Sequence, residues 1–269
     1  MQVAKGHQQP YAGIVAIALA GALLVGLCGA VAWGDPRTRL INVDTARILD
    51  DGQWQYGADL RTFGAADDEE YVSGHIRCVK HGYQLELLGS FAQRATHTTG
   101  ITTLYYGGTD WEVRAKKRLI DGRKATLSAI VGLEFPNTPA QDEEHVALHV
   151  PLTIDRGSKT SGHIVPKFIF LEDNIVSSLG LGLEHMASDE VTFMVELTPN
   201  IGGANTRNAS GALSDDAIWG VGLRWTPSDE QGWQVDLGFT NAKGQTSSFG
   251  IAPGILNSTA LYVAVTRTR

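Results

Sequence analysis

From Gln53 to Arg269 the chain is built of short segments in which apolar and polar residues alternate with a period of two. Successive side chains of a β-strand point to opposite faces, whereas a helix repeats near 3.6, so this stretch specifies strands with two chemically different faces. Trp233-Gln-Val-Asp-Leu-Gly-Phe239 is the plainest case: Trp233, Val235, Leu237 and Phe239 share one face, and Gln234, Asp236 and Gly238 the other. The same alternation recurs over Trp54–Leu60, Val72–Cys78, Tyr83–Phe91, Trp111–Leu119, Ala125–Phe135, Val146–Ile154, Ile164–Phe170, Leu179–Leu183, Val191–Leu197, Trp219–Trp225 and Leu261–Val265. With Trp233–Phe239 these make twelve strands. The 31 glycines among 269 residues exceed the average of roughly 7% and argue further against a helical protein.

The connections carry their own pattern. Lys80-His-Gly82, Asp121-Gly122, Ala187–Asp189 and Pro227–Gln231 are short, and Asp-Gly favours a hairpin turn with positive φ. Ala95–Thr109, Pro136–Glu144, Asn200–Asp216 and Asn241–Ser258 are long and fall at alternate positions, as in a barrel with short turns at one end and loops at the other. The seven-residue link Arg156–Gly162 and the tight Glu172–Asn174 turn depart from that scheme.

The polar face decides what kind of sheet this is. By parity it carries Asp59, Arg61, Arg77, Glu86, Glu112, Arg114, Lys116, Arg118, Lys124, Glu134, Lys167, Glu184, Glu196, Arg224 and Asp236, with His75 and His149 beside them. Such a face needs water or mutual pairing. Alternation alone also suits a soluble sandwich or ligand-binding barrel with its apolar face inward. The aromatics favour the membrane: Trp54, Tyr56, Trp111, Phe135, Trp225, Trp233 and Phe239 sit near strand ends, as interfacial girdles do, and Leu, Val and Ala fill the middles. Lys117 falls on the outward face, which is costly unless it stands near an interface. The fold expected is therefore all-β, an antiparallel up-and-down transmembrane β-barrel of about twelve strands over residues 53–269.

Ahead of it, Lys5 and His7 precede an uncharged run, Tyr11–Gly34, that contains Ala30-Val-Ala32, a small-x-small cleavage pattern. Residues 1–32 read as a signal peptide and 33–52 as a periplasmic lead-in. A retained membrane anchor is the alternative, because the run exceeds roughly 18 residues. Removal of 1–32 leaves 21 Lys and Arg against 29 Asp and Glu, an acidic balance that disfavours nucleic acid as a partner. It also leaves Cys78 without Cys28, so no intramolecular disulfide is possible.

Little in the sequence points to chemistry. His145 and His149 would stand about 13 Å apart on a strand, too far for a shared metal. Gly180-Leu-Gly182 and Gly220-Val-Gly222 open no helix and read as room for long charged neighbours, not phosphate loops. His97, His163, His185, Ser188 and Asp189 are hydrolase candidates by residue type, with no spacing that puts a base against a nucleophile. No catalytic, cofactor-binding or metal residue is assigned. Arg114, Lys116 and Arg118 on one strand, with Glu112, Glu134 and Lys124 near them, either favour anions at a constriction or pair to fill the barrel.

The Gly-Leu-Arg-Trp225 and Val235-Asp-Leu-Gly-Phe239 strands, with Asn-, Gly- and Ser-rich loops, resemble Gram-negative outer-membrane barrels over roughly residues 44–269. The opening Thr45–Trp54, in which a Leu-x-x-Gly step leads into the first strand, resembles the start of uncharacterised transporter-like barrel families. The resemblance implies the outer membrane as location, its lipid bilayer and assembly machinery as partners, no cofactor, and passive passage of a small polar solute. The end, Val263–Arg269, departs from that class in lacking the terminal aromatic offered to the assembly machinery. A soluble periplasmic or surface binding module, a closed interaction barrel and an outer-membrane hydrolase are the alternatives.

Overall fold

The computed structural model describes residues 38–63, 70–99, 102–137, 143–172, 175–207, 213–228, 232–254 and 258–269. The expected signal peptide with Cys28, and the side chain of His97, lie outside the described residues. Twelve antiparallel strands follow in chain order: β1 (Trp54–Phe63), β2 (Glu70–Lys80), β3 (Tyr83–Thr99), β4 (Thr102–Asp121), β5 (Ala125–Asn137) and β6, in two halves (His145–His149 and Leu152–Arg156). Then come β7 (Thr160–Phe170), β8 (Ile175–Met186), β9 (Val191–Thr198, continued by Asn200–Gly202), β10 (Ile218–Trp225), β11 (Trp233–Thr240) and β12 (Ala260–Thr268). Consecutive strands pair throughout. The sheet closes because β12 pairs with β1 from Gln55↔Thr268 to Phe63↔Ala260. Closure leaves no edge strand, which is the condition for a sheet in hydrocarbon.

Prolines explain both broken strands. Pro151 has no N–H for the ladder, and β6 divides there while both halves keep β5 and β7 as neighbours. Pro199 likewise separates the two parts of β9, and its carbonyl accepts the Leu179 N–H at 3.1 Å.

The expected strands and the faces they share are present, and the apolar face is outside. Leu85, Val113, Val131, Leu133, Leu183, Val195, Val221, Leu237 and Leu261 are all exposed, and with their neighbours they form a band around the wall. A soluble monomer rarely exposes more than a few hundred Å² of contiguous apolar surface. This inside-out arrangement rules out the soluble barrel, whose apolar face would point inward. Exposed aromatics border the band: Trp54, Tyr83 and Trp225 near the end where Trp54 meets Arg269, and Phe91, Trp111, Phe135 and Phe239 towards the other. From Asp121 up to Trp111 on β4 is ten residues, or about 25 Å at a 40° tilt, the height of a hydrocarbon band.

The short turns share the end where Trp54 and Arg269 exchange backbone hydrogen bonds of 2.7 and 2.8 Å. His81 (φ 54°) and Gly82 (φ 73°) form the tight turn expected there. Gly122 corrects an expectation, because it lacks a positive φ. Its N–H donates to the Ala125 carbonyl at 3.0 Å, and a Cβ would stand 2.8 Å from that oxygen. The Arg156–Gly162 misfit disappears, because β7 begins at Thr160. At the opposite end, the expected loop Ala95–Thr109 is instead an extension of β3 and β4, paired up to Thr99↔Thr102 after a register shift between Ala92 and Ala95. Threonine and tyrosine favour strand as readily as loop, and the alternation there was too polar to read.

Two segments fold inward. Of the segment 33–52, expected as a periplasmic lead-in, Thr38 to Ala46 are instead buried, Leu40, Ile41, Asn42 and Val43 almost completely. Leu40 N–H donates to the Val43 carbonyl at 2.9 Å and Thr45 N–H to the Thr38 carbonyl at 3.1 Å, so this segment is a tight hairpin. The connection after β11 holds a short helix, α1 (Ser247–Ile251), whose Ser247, Phe249 and Ile251 are buried. Between Gly202 and β10 a two-residue ladder joins Thr206–Arg207 to Leu213–Ser214.

Candidate functional site

The interior is where the polar faces meet, and alternation places the charges there. Asp59, Arg61, Arg77, Glu86, Glu112, Arg114, Lys116, Glu134, Lys167, Glu184, Glu196, Arg224 and Asp236 are buried in it, with His75 and His149. Two expected members are not. Arg118 keeps the inward parity, opposite Ser128 and ahead of the β4 bulge, but it stands partly exposed at the turn end and pairs with Asp121 at 2.7 Å. Lys124 is exposed in the turn itself.

The buried charges neutralise one another, both within a strand and across neighbouring strands. Arg224 holds Asp236 through two hydrogen bonds of 2.9 Å. Arg61 donates to Asp59 at 2.9 Å, Arg114 lies 2.8 Å from Glu112, and Arg77 lies 3.3 Å from Glu86. Arg114 is thus committed to carboxylates and does not form a row of bare cations with Lys116 and Arg118. Removing one member of such a buried pair costs roughly 3–5 kcal/mol, because the other is left uncompensated.

The hairpin completes this network. Glu196 on β9 accepts the backbone N–H groups of Asn42 at 2.8 Å and Val43 at 2.9 Å, and also the Asn42 side-chain amide. Lys167 donates to the Asn42 carbonyl at 2.9 Å, and Arg61 to Asn42 Oδ1 at 2.8 Å. Lower down, Ala46 N–H donates to Thr153 Oγ1 at 2.8 Å and Leu49 N–H to Gln84 at 3.0 Å. Thr38 meets Gln55, Arg77 and Lys116, close to the turn end of β1, β2 and β4. Both arms therefore run towards the end with the short turns, and the apex at Leu40–Val43 points away from it.

The apex also buries apolar surface. Leu40, Ile41 and Val43 pack against Val165, Met194, Tyr262 and Ala264 on β7, β9 and β12. Glycines make the space: a Cβ on Gly180 would meet Val43 at 3.3 Å, one on Gly222 would meet Ile41 at 3.3 Å, and one on Gly182 would meet Leu40 at 2.5 Å. The expected role of these glycines holds only for Gly220, which makes room for Glu196.

From the other end α1 closes over the acidic corner of β4 and β5. Ser247 N–H donates to Glu112 at 2.7 Å, Ser248 N–H to Glu134 at 2.9 Å, and Thr246 Oγ1 to Asp110 at 2.6 Å. The two inserts also touch: Arg39 Nη1 donates to the Gln245 carbonyl at 2.6 Å.

One line of this network has the residue types of a hydrolase triad. Ser247 Oγ lies 3.2 Å from His149 Nε2, and His149 Nδ1 lies 2.9 Å from Asp44 Oδ2. Ser247 Oγ, however, donates to Glu112 at 2.7 Å and accepts from Arg114 at 3.1 Å, and Ser247, His149 and Asp44 are all buried. Sequence spacing gave no sign of this group, because its members come from three distant segments. The hydrolase candidates His163, His185 and Ser188 are not brought together: His163 bonds Thr153 in the interior, His185 bonds Thr160 on the exterior, and Ser188 caps a turn. His145 faces Glu134 at 3.6 Å, apart from His149, and among the described residues no group of three or more His, Cys, Asp or Glu could hold a metal.

No family model matches the chain. No curated protein matches it either. Solved structures do. An outer-membrane channel of the COG4313 type from Pseudomonas putida F1 superposes with a TM-score of 0.57 at 13% identity, covering 89% of this chain and all of that one. The KdgM porin, solved in complex with disordered oligogalacturonate, gives 0.54 at 12% identity over 80% of this chain and 98% of the other. The NanC porin gives 0.54 at 8% identity, also over 80% and 98%. The chain has the fold of an outer-membrane β-barrel. At these identities the likeness is one of architecture, and the interior has to be read from its own residues.

Proposed function

We propose that this protein is an outer-membrane channel for small polar solutes, closed in the conformation described by its N-terminal hairpin and by α1. Residues 1–32 act as its export signal, and the outer-membrane assembly machinery inserts it. The observation that carries the reading is the pairing of a charged, hydrogen-bonding lumen with a plug whose two arms leave by the same end. A hairpin held in that way can withdraw without being unthreaded. The exposed charges would then be wet and paired, a lining that passes polar solutes and rejects apolar ones. That similar folds belong to porins and channels supports the reading by analogy.

Liposome swelling tests it. Proteoliposomes holding the full-length protein should admit small sugars and amino acids slowly, and those holding Glu196→Gln should admit them faster, because the hairpin has lost its main acceptor. Equal impermeability of both, with correctly folded protein, would favour a second reading, a permanently closed interaction barrel. The filled interior is what supports that reading.

No enzymatic role is part of the proposal. Ser247 and Asp44 lie on the two inserts, so a motion that admitted substrate would take the triad apart. A fluorophosphonate probe should leave Ser247 unlabelled.

A further inference from the structure

Along one arc of the turn end, lipid-facing cations stand beside aromatic rings, whereas the outward Arg156 on β6 lies opposite Thr160. Arg267 on β12 lies opposite Tyr56 of β1 and Trp233 of β11, with its guanidinium 5.0 Å from the Trp233 ring. Arg269 lies 5.9 Å from the Tyr56 ring. Two strands on, Lys117 of β4 pairs with Tyr83, the first residue of β3; its ammonium sits 4.4 Å from the ring and donates to the Tyr83 hydroxyl at 2.7 Å. Lys80 flanks Tyr83 from the other side. On the arc from β7 to β10 the corresponding outward positions are Thr160, His185, Val191 and Trp225, none with a fixed positive charge.

The geometry points to a binding surface for anionic glycerophospholipid along the β11–β4 arc, formed by Arg267, Arg269, Lys80 and Lys117. Three features select a lipid. The register puts these cations at or near the last residues of their strands, at headgroup depth. Outward parity makes the surface continuous with the apolar band that acyl chains cover. Each long side chain can lay its stem along the aromatic belt while its charge reaches the phosphate layer. A negative headgroup is attracted by each nearby Lys or Arg, so the arc discriminates charge and not chain length. It also answers the outward Lys117, which stands at the interface and not at mid-membrane. The surface depends on the barrel fold, not on whether the lumen opens.

Native mass spectrometry of the full-length protein, titrated in detergent with phosphatidylglycerol or with phosphatidylcholine of the same acyl chains, tests the proposal. Phosphatidylglycerol adducts should exceed phosphatidylcholine adducts several-fold. The difference should disappear in the variant carrying Lys117→Gln, Arg267→Gln and Arg269→Gln, and Arg267→Lys with Arg269→Lys should keep most of it. Lys117→Gln alone serves if the triple variant fails the heat-modifiable migration of a folded barrel, and should lower the excess by about half. Equal adducts of both lipids on the unmodified protein, an unchanged excess in the variants, or complete displacement by equimolar inorganic phosphate would overturn the lipid assignment.

Discussion

The hairpin touches two walls of the same barrel in two different ways. Against β7, β9 and β12 it presents Leu40, Ile41 and Val43 to Val165, Met194, Tyr262 and Ala264, with Asn42 bonded to Lys167 and Glu196 among them. Towards β4 and β6 it presents Asp44, which lies 3.4 Å from Arg114 and 2.9 Å from His149. Apolar contact adheres in proportion to area and tolerates small shifts. Hydrogen-bonded ion pairs add less net free energy but hold one register, because a misplaced partner is left buried and unpaired. The difference teaches how a lumen can be shut and still reopen: the apolar wall holds the plug in place, and the polar wall fixes where it sits and stays soluble in water once the plug has left.

The largest effect should come from the apolar wall. Leu40→Ala combined with Ile41→Ala removes about 4 kcal/mol of docking, which should raise the open fraction in planar-bilayer recordings roughly a thousandfold. An open fraction unchanged by that pair would show that the apolar contact does not hold the plug. Next comes the acceptor shared by both sides of the apex. Glu196→Gln weakens the bonds from Asn42 and Val43 by about 2 kcal/mol, for a rise of roughly thirtyfold in the same recordings. Ser247→Ala removes the α1 hydroxyl that bonds Glu112 and His149 on the polar wall and should cost about 1 kcal/mol, a rise near fivefold. Salt should do least. The pairs are buried and poorly screened, so raising KCl from 0.1 to 1 M should change the open fraction by less than about threefold. A steep salt dependence would mean that the polar wall, not the apolar one, governs closure.

Much of this molecule was legible in the alternation. Twelve strands and their faces follow from residues such as Trp233–Phe239, because the period of two is a local property. The buried charges follow from the same parity, which gives the face of a residue but not its depth: Arg118 keeps its face yet stands partly exposed at the turn end, and Lys124 is exposed in the turn. The hairpin was not legible. Leu40-Ile-Asn-Val43 is short and carries no period, and its partners are Gly180, Gly182 and Gly222, whose lack of a side chain is informative only when the other surface is known. The Ser247–His149–Asp44 contact was hidden for the same reason, since long-range closure brings together residues about a hundred positions apart.

The central claim is that residues 38–50 keep the barrel closed and hold α1 in place through the Arg39–Gln245 bond. Single-channel recording of the full-length protein beside a variant lacking 38–50 tests it most directly. The account predicts long closed periods with rare openings for the intact chain and a steady conductance for the shortened one, with both proteins showing the gel shift of a folded barrel. A shortened protein that is folded and silent would contradict it, as would an intact protein that conducts as steadily as the variant.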